Sequence, residues 1–309
     1  MQTHSWDVIV VGGGPAGLSA ALLLGRCRRR VCVFDDGRPR NAAAHASHGF
    51  FTRDGTAPRE LRELGRAQLE AYKVACFDDT VAHACVREGR FEIETAQGAL
   101  HRARKLLLAT GVVDSLPEQS GFAECFGKSV FQCPYCDGWE QRERAIAVYG
   151  KGAEGVELAL SMTVWSQDIV YCSDDARPLP AVQARALRLH GIQHYPQRIL
   201  ELQHRAGELT HIAFEGHAPV AREAVFVHAG TEQRSELPGA LGCDMTEQGA
   251  VDTGDKQDAQ RGVYVAGDAA RDTKLLAMAV AEGTKAAIAI NRALRLEDSE
   301  ALLSAAEPR

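Results

Sequence analysis

Two cysteines two residues apart are followed directly by an acid in the stretch QCPYCDGWE, where Cys133, Cys136 and Asp137 stand together. Such a pair can hold a zinc ion, form a disulfide that is made and broken in each turnover, or be buried without chemistry. A structural zinc site needs four ligands, usually from a second Cys-x-x-Cys, and the sequence has no second one. We therefore expect no metal here.

The order Cys-Pro-Tyr-Cys-Asp-Gly is typical of the start of a helix, where the pKa of a thiol is lowered and the reactive thiolate is favoured. A disulfide between Cys133 and Cys136 closes a very small loop, so it adds little stability and is readily reduced. Asp137 could give a proton to a leaving thiolate if partial burial raised the pKa of its carboxyl. Its alternative role is that of an ordinary carboxylate in the first turn of a helix.

The element nearest the N-terminus has the pattern of a dinucleotide site. An apolar run leads into GGGPAG at 12–17, an apolar helix follows, and the next apolar run ends in Asp35 and Asp36. This order of strand, GxGxxG, helix and acid is the complete Rossmann fingerprint. Its glycines permit a tight turn, close approach of a pyrophosphate and close packing of helix on strand, while either acid could bind a ribose.

The same order recurs in the middle of the chain. The apolar run at 146–149 leads into GKGAEG at 150–155, and the next run ends in Ser173-Asp174-Asp175. Lys151 and Glu154 are less typical of such a turn than small residues. The chain therefore carries two dinucleotide-type units.

Two further strands complete the first unit, one ending in Thr110-Gly111 and one in Gly267-Asp268. The sequence thus predicts an α/β protein with two three-layer Rossmann-like domains, the second inserted into the first. We place the first domain at 1–115 and 246–309, and the second, with the cysteine pair, at 116–245. After the last strand we expect a helix over 274–296 with an interruption at Glu282-Gly283, and a frayed tail from Ser299.

Composition excludes several classes of protein. The net charge is −6 without a long basic block, so no nucleic-acid partner is expected. The longest uncharged stretch, 8–25, contains glycines and a proline and lacks a positive flank, so we expect no membrane span. The nine cysteines have no framework spacing, which favours a reducing cytoplasm.

Five motifs in order resemble the low-molecular-weight thioredoxin reductases, which are class II FAD-dependent pyridine nucleotide-disulfide oxidoreductases. They are GGGPAG, ATG at 109–111, the CxxCDG at 133–138, the second GxGxxG and GVYVAGD at 262–268, and they span nearly the whole chain. The resemblance implies a flavoprotein enzyme with FAD in the first domain, with redox cysteines and usually NADPH in the second, and with a homodimer as its assembly. Thioredoxin or another dithiol or disulfide is the implied partner.

The resemblance also assigns roles to residues. Cys136 would face the flavin, Cys133 would attack the partner's disulfide, and Asp137 would be the acid; with a flavin site in the chain, this turnover disulfide is favoured over an inert pair. The residues expected to bind a cofactor are Gly12, Gly14, Pro15, Ala16, Gly17, Asp35, Thr110, Gly111, Gly267 and Asp268 for FAD, His48 beside the flavin, and Gly150, Gly152 and Gly155 for a nicotinamide nucleotide.

One departure from the family puts the electron donor in doubt. NADPH-dependent members carry a His-Arg-Arg cluster where this chain has Ser173-Asp174-Asp175. Carboxylates repel the 2′-phosphate of NADPH and suit the free 2′-hydroxyl of NADH, so NADPH is disfavoured. Three donors or directions stay open: NADH, a protein donor such as ferredoxin, and a dithiol oxidase that passes electrons to oxygen. A non-catalytic flavin and disulfide switch is a further alternative.

Overall fold

The computed structural model describes residues 4–255, 257–271 and 273–306, with only the backbone of His4. The chain divides into two compact units. The first unit comprises Met1–Ala42, Arg59–Val113 and Glu232–Arg309, and the second comprises Ala43–Pro58 and Asp114–Thr231.

The chain returns to the first unit at Glu232, earlier than the 245/246 boundary placed from the sequence. The physical reason is burial: Leu237, Leu241 and Cys243 pack in one hydrophobic core with Ile9 of the first strand. A second difference concerns residues 43–58, which lie in the first domain by sequence order but belong to the second unit by their contacts.

An eight-stranded sheet forms the centre of the first unit. Its parallel part has the order β18-β6-β1-β2-β3, with β17 antiparallel at one edge and β5 and β4 added antiparallel beside β6. The elements of this unit are β1 (His4–Val11), α1 (Pro15–Arg26), β2 (Val31–Phe34), α2 (Pro58–Glu70), β3 (Ala75–Phe77), β4 (Val81–Arg87), β5 (Arg90–Thr95), β6 (Leu100–Leu108), α7 (Leu237–Ala240), β17 (Asp258–Gln260), β18 (Val263–Val265) and α8 (Leu276–Ala306).

Helices α1 and α8 cover one face of this sheet. Leu24, Ile290 and Leu294 are fully buried there, and burying each such side chain stabilises the fold by about 1.5–3 kcal/mol. Helix α8 is continuous from Leu276 to Ala306, so the predicted interruption at 282–283 was wrong. Residues 299–306 of the predicted frayed tail are helical, and residues 307–309 lie outside the described residues. Gly283 is required by packing, since a Cβ there would lie 2.0 Å from the Ala16 carbonyl oxygen. Towards its C-terminal end, α8 is held by an ion pair between Asp298 and Arg104.

A five-stranded parallel sheet with the order β11-β10-β9-β15-β8 forms the second unit, with a three-stranded antiparallel sheet β12-β13-β14. The elements are α3 (Phe122–Cys125), β8 (Val130–Phe131), α4 (Pro134–Asp137), β9 (Ile146–Tyr149), α5 (Gly152–Ser161), β10 (Ile169–Cys172), α6 (Ala181–Leu189), β11 (Gln193–Tyr195), β12 (Ile199–Arg205), β13 (Glu208–Phe214), β14 (His217–Ala221) and β15 (Ala224–Val227). Strands β7 (Val112–Asp114) and β16 (Thr231–Gln233) pair where the chain passes between units.

Each parallel sheet has a point at which the strand order reverses, and a glycine-rich turn follows the strand at that point. In the first unit this strand is β1, between β2 and β6, and in the second it is β9, between β10 and β15. Ligands of such sheets bind beyond the carboxyl ends of the strands at these reversals. The predicted α/β class with two Rossmann-like arrangements is confirmed. No helix among the described residues is both long and apolar enough to cross a membrane.

Candidate active site

The Cys-Pro-Tyr-Cys-Asp sequence forms a single helical turn in the second unit. Cys133 has extended backbone and precedes α4, Pro134 occupies the first helical position, and the backbone N–H of Asp137 donates to the Cys133 carbonyl at 3.2 Å. A disulfide joins Cys133 to Cys136. Gly138 follows the turn. A side chain does not fit there, because a Cβ would lie 2.5 Å from the Pro134 carbonyl oxygen. The turn therefore holds the acid and the cysteine pair within four consecutive residues and one helical turn.

The carboxyl of Asp137, at the end of this turn, has a raised pKa. Burial, and to a smaller degree the charge of Glu140, raise the pKa of its carboxyl from 3.8 to about 6, while His48 acts in the opposite direction. Near neutral pH a useful fraction of this carboxyl therefore keeps its proton, as an acid for a leaving thiolate requires.

His48, expected beside a flavin, lies in the second unit with the redox pair. Its Nδ1 is 3.6 Å from Oε1 of Glu140 and 3.8 Å from Oδ1 of Asp54. Analysis of the sequence did not assign a role to Glu140. Glu140 stands three residues after Asp137. This spacing could have indicated that the two carboxyls lie on one face, if the turn is helical.

Large aromatic side chains near the disulfide are exposed rather than packed. Tyr135 between the cysteines is 79% exposed and Trp139 is 64% exposed. The Arg142 guanidinium lies 4.3 Å from the centre of the Trp139 ring and also donates to the Trp139 carbonyl. An apolar or aromatic group of a substrate could stack here.

The first glycine-rich turn leaves open space at the N-terminus of α1. A Cβ at Gly14 would meet nothing within 4 Å, whereas a Cβ at Gly12 or Gly17 would meet backbone oxygens at 2.1 and 1.9 Å. The helix has no side-chain cap and no acid in its first turn, so its N–H groups face that space with their positive dipole. This arrangement suits a phosphate.

Other predicted residues surround the same end of the first sheet. Asp35 lies against Gly13, where its carboxylate accepts a hydrogen bond from Arg62 at 2.7 Å. Asp268 pairs with Arg40 at 3.3 Å. The two arginines were not identified from the sequence, because no spacing rule connects them to the acids they meet.

Three more predicted positions have features that suit a bound group. The Thr110 hydroxyl is buried without a hydrogen-bond partner among the described residues, and Gly111 after it has a positive φ of 68° with free space around it. Gly267 has a φ of 80°, and its N–H donates to Glu282 at 2.8 Å. Buried polar atoms are usually hydrogen-bonded in native proteins, so the Thr110 hydroxyl is available to bind a polar group of a ligand.

The second glycine-rich turn has the same order of strand, turn and helix in different surroundings. Gly150 packs against Gly155, and the hydroxyl of Tyr171 donates to the Gly150 carbonyl at 2.8 Å. Gly152 has a φ of 63° and begins α5, whose first turn contains the acid Glu154. A carboxylate in that turn repels a phosphate from the helix N-terminus.

The end of β10 adds further negative charge. Asp175 forms a close pair with Arg177, whose hydrogen bonds hold the pKa of Asp175 at about 2. Asp174 instead accepts a hydrogen bond from the backbone of Ile199. Because Arg177 is bound to Asp175, it does not present a free cation to a 2′-phosphate.

No cluster of three or more histidine, cysteine or acidic side chains suited to a metal occurs in the described part of the chain.

Comparison with known proteins agrees with this geometry. The profile of the family "Pyridine nucleotide-disulphide oxidoreductase" matches residues 6–283. The chain is 34% identical to "Thioredoxin reductase tcpT" of Claviceps purpurea, over 85% of this chain and 86% of the relative. It is 30% identical to "Thioredoxin reductase sirT" of Leptosphaeria maculans, over 93% of each.

Solved structures give the same result. The crystal structure of HlmI has a TM-score of 0.93 at 32% identity, covering 99% of this chain and 98% of that one. The oxidoreductase from Agrobacterium tumefaciens has a TM-score of 0.89 at 32% identity, covering 94% of this chain and 99% of that one.

Proposed function

The chain belongs to the pyridine nucleotide-disulphide oxidoreductase family, and from that premise we propose that it moves two electrons between FAD and the Cys133–Cys136 disulfide and on to a protein or small-molecule disulfide. The observation that carries the proposal is the disulfide on a helical turn that also holds Asp137, a carboxyl with a pKa of about 6. The donor in this proposal is not NADPH.

FAD is the cofactor that the family implies, and the residues at the first glycine-rich turn fit it. The open space at Gly14, the uncapped N-terminus of α1 and the unpartnered Thr110 hydroxyl all support this assignment. When bound, FAD supplies the reversible two-electron store that the thiols lack. We assign its diphosphate to Gly12, Gly14, Pro15, Ala16 and Gly17, a ribose to Asp35, and its remaining parts to Thr110, Gly111, Gly267 and Asp268.

The cysteines perform thiol–disulfide exchange. In the reducing direction the Cys133 thiolate attacks an external disulfide, forms a mixed disulfide and releases one external thiolate, which takes a proton from Asp137. The Cys136 thiol then returns a proton to Asp137 and attacks the Cys133 sulfur, which releases the second external group as a thiolate. That thiolate takes from solvent the proton that Cys133 lost to solvent when it ionised. One dithiol becomes a disulfide and one disulfide becomes a dithiol, so electrons and protons balance.

The charges around the second glycine-rich turn support a donor other than NADPH. Glu154 stands in the first turn of α5, Asp174 and Asp175 follow β10, and Arg177 is occupied by Asp175. NADH through Gly150, Gly152 and Gly155 remains compatible, because a free ribose hydroxyl is a good partner for a carboxylate. A reduced protein such as ferredoxin is the other candidate donor.

The same carboxylates favour a second candidate function, that of a dithiol oxidase. A dithiol substrate would reduce the Cys133–Cys136 disulfide and become a disulfide itself, and the two electrons and two protons would leave as hydrogen peroxide after reaction with oxygen. In this direction the second glycine-rich turn needs no nucleotide.

Anaerobic mixing tests both candidates. The oxidised, FAD-loaded protein is mixed separately with NADH, NADPH, reduced ferredoxin and dithiols, and loss of the flavin absorbance is followed. We expect NADPH to be slower than at least one other reductant, and turnover with thioredoxin or oxygen to follow from that reductant. If no reductant bleaches bound FAD and none supports turnover, the enzyme proposal fails and a non-catalytic switch remains.

The relatives named thioredoxin reductase support thioredoxin, or another dithiol or disulfide, as the partner. We further propose a homodimer and a cytoplasmic location. Light scattering of the FAD-loaded protein tests the homodimer, since a mass near 33.4 kDa would contradict it.

A further inference from the structure

Residues 43–58 bring a histidine to the redox pair. The segment is closed on itself by backbone hydrogen bonds between Ser47 and Thr56 and between Gly55 and Ser47. It also packs on Gly127, where a Cβ would lie 2.7 Å from the backbone of Ala43. These contacts hold the segment within the second unit, which also contains the cysteine pair. His48 therefore belongs to the same compact unit as the disulfide.

The two carboxylate oxygens of Glu140 have different surroundings: one lies near His48 and the other is buried. Its Oε1 is 3.6 Å from Nδ1 of His48, while its Oε2 is buried and has no hydrogen-bond partner among the described residues. A buried carboxylate oxygen without a donor is costly, and the cost falls when a proton or a cation is supplied nearby. His48, close to the other oxygen of the same carboxylate, is a group that can supply a cation there.

We propose that His48 and Glu140 are positioning residues that set the protonation of Asp137 in opposite directions and thereby control proton delivery to the Cys133–Cys136 pair. This proposal rests on the proposed function, in which Asp137 is the acid. His48 then acts on the acid of the disulfide, which is a different role from contact with a flavin.

The signs follow from the charges. The negative charge of Glu140 raises the pKa of Asp137, and the cation of a protonated His48 lowers it. Asp54, which is largely exposed, faces His48 from the same segment at 3.8 Å. Arg142, a cation in the same stretch of chain, is held on the ring and carbonyl of Trp139.

The proton step itself is simple. When an external thiolate attacks Cys133, a new S–S bond forms to Cys133 and the bond to Cys136 breaks. Cys136 leaves as a thiolate and takes the proton of Asp137. The rate of this step therefore follows the protonated fraction of Asp137.

The test uses full-length, FAD-loaded protein and two variants with matched controls. Glu140→Gln and His48→Gln are compared with Glu143→Gln and His45→Gln, whose parent side chains are exposed. Reduction of the disulfide by dithiothreitol is followed anaerobically from about pH 5 to about pH 8, a range that includes the titration of an ordinary histidine. Infrared difference spectra follow the protonated carboxyl band, with Asp137→Asn used to identify it.

We expect Glu140→Gln to move the midpoint of the Asp137 titration down by about one pH unit and His48→Gln to move it up by about half a pH unit. The double variant should lie between them, and both control variants should match the wild type. A Glu140→Met variant replaces Glu140→Gln if the latter does not fold.

Two results overturn the proposal. One is an unchanged midpoint in both variants, and the other is a shift in the same direction in both. Failure of the proposed function is separate: if no dithiol reduces the wild-type flavin, that function fails, while the infrared titration of Asp137 still reports on His48 and Glu140.

Discussion

The two glycine-rich turns share a glycine spacing and the order of strand, turn and helix, and they differ in what surrounds them. At the first turn, α1 begins without an acid and a Cβ at Gly14 would meet only open space. At the second turn, α5 carries Glu154 in its first turn and the Tyr171 hydroxyl is bonded to Gly150. A glycine pattern therefore predicts the strand, turn and helix at both places, but the neighbouring charges decide which phosphate each turn accepts.

The two units also differ in the kind of functional site that they offer. The first unit offers an uncapped helix and an unpartnered buried hydroxyl at Thr110, which are features that suit a large cofactor. The second unit holds the Cys133–Cys136 disulfide and its acid within one helical turn.

Removing the disulfide should separate catalysis from cofactor binding. We expect Cys133→Ser to lower disulfide turnover by at least about a thousandfold while FAD content per chain stays unchanged, because the sulfur forms the bond to the substrate. Turnover with each reductant and the visible spectrum are measured together. Cys85→Ser, at an exposed cysteine of the first unit, is the control and should retain turnover. Full turnover in Cys133→Ser would refute the disulfide mechanism.

Filling the space at the first turn should remove the cofactor without disturbing the fold. Gly14 has extended backbone at φ −78° and no atom near its missing Cβ, so Gly14→Val introduces no clash within the protein. We expect FAD to bind at least about 100-fold more weakly, equivalent to about 3 kcal/mol. Fluorescence titration of the flavin-free protein measures the affinity, and circular dichroism checks the fold.

Gly239→Val is the matched control, because Gly239 also has free space around its missing Cβ. That variant should bind FAD as the wild type does. Normal FAD affinity in Gly14→Val would contradict the assignment of the FAD diphosphate to the space at Gly14. It would also remove the proposed difference in ligand binding between the two turns.

Reversing charge at the second turn should make it more like an NADPH site. The variant Glu154→Gln with Asp175→Arg removes two carboxylates and releases Arg177 from its partner. Asp174 is kept, because its carboxylate accepts the Ile199 backbone N–H. We expect the Kd for NADPH to fall by about tenfold and that for NADH to change less.

Equilibrium titration of oxidised protein at low ionic strength measures both nucleotides, since salt weakens such charge effects. Glu157→Gln, an exposed acid farther along α5, is the control and should leave both affinities unchanged. If the double variant binds NADPH no better than the wild type, the carboxylates near the second turn are not the reason that NADPH is disfavoured.

The smallest expected effect is on the free energy of unfolding, through the carboxyl of Asp137. The pKa of Asp137 rises from the ordinary 3.8 to about 6 on folding, so the native state holds this proton more tightly than the unfolded state does. Stability therefore falls as pH rises from about 4 to about 6 and stays lower above that window. Asp137→Asn should raise the free energy of unfolding by about 1–3 kcal/mol near pH 8 and change it little near pH 4.

Urea unfolding of the oxidised protein at both pH values measures this difference, with Glu143→Gln as the exposed control. An equal effect of Asp137→Asn at both pH values would show that burial does not penalise its charge.

Much of the molecule could be predicted from local sequence. The two strand–turn–helix units follow from glycine spacing and apolar runs, and the helical turn at Cys133 follows from proline and the small loop that the cysteines close. These features depend on neighbours in sequence, so short patterns are enough to find them.

Other features depend on residues that are far apart in sequence. Glu140 meets His48 only after the chain has folded, and Arg62 meets Asp35 across a helix and a loop. The continuity of α8 past Gly283 comes from packing against Ala16, which outweighs the usual cost of glycine in a helix. No local pattern records these contacts.

The segment at 43–58 limits how freely the two halves of this chain could be exchanged during evolution or engineering. A graft of residues 114–231 from a relative would replace the cysteines, Asp137 and Glu140 together but would leave His48 of the original protein in place. Such a chimera would pair an acid from one lineage with a histidine from another. The transferable module is therefore discontinuous, and segments 43–58 and 114–231 must be inherited together.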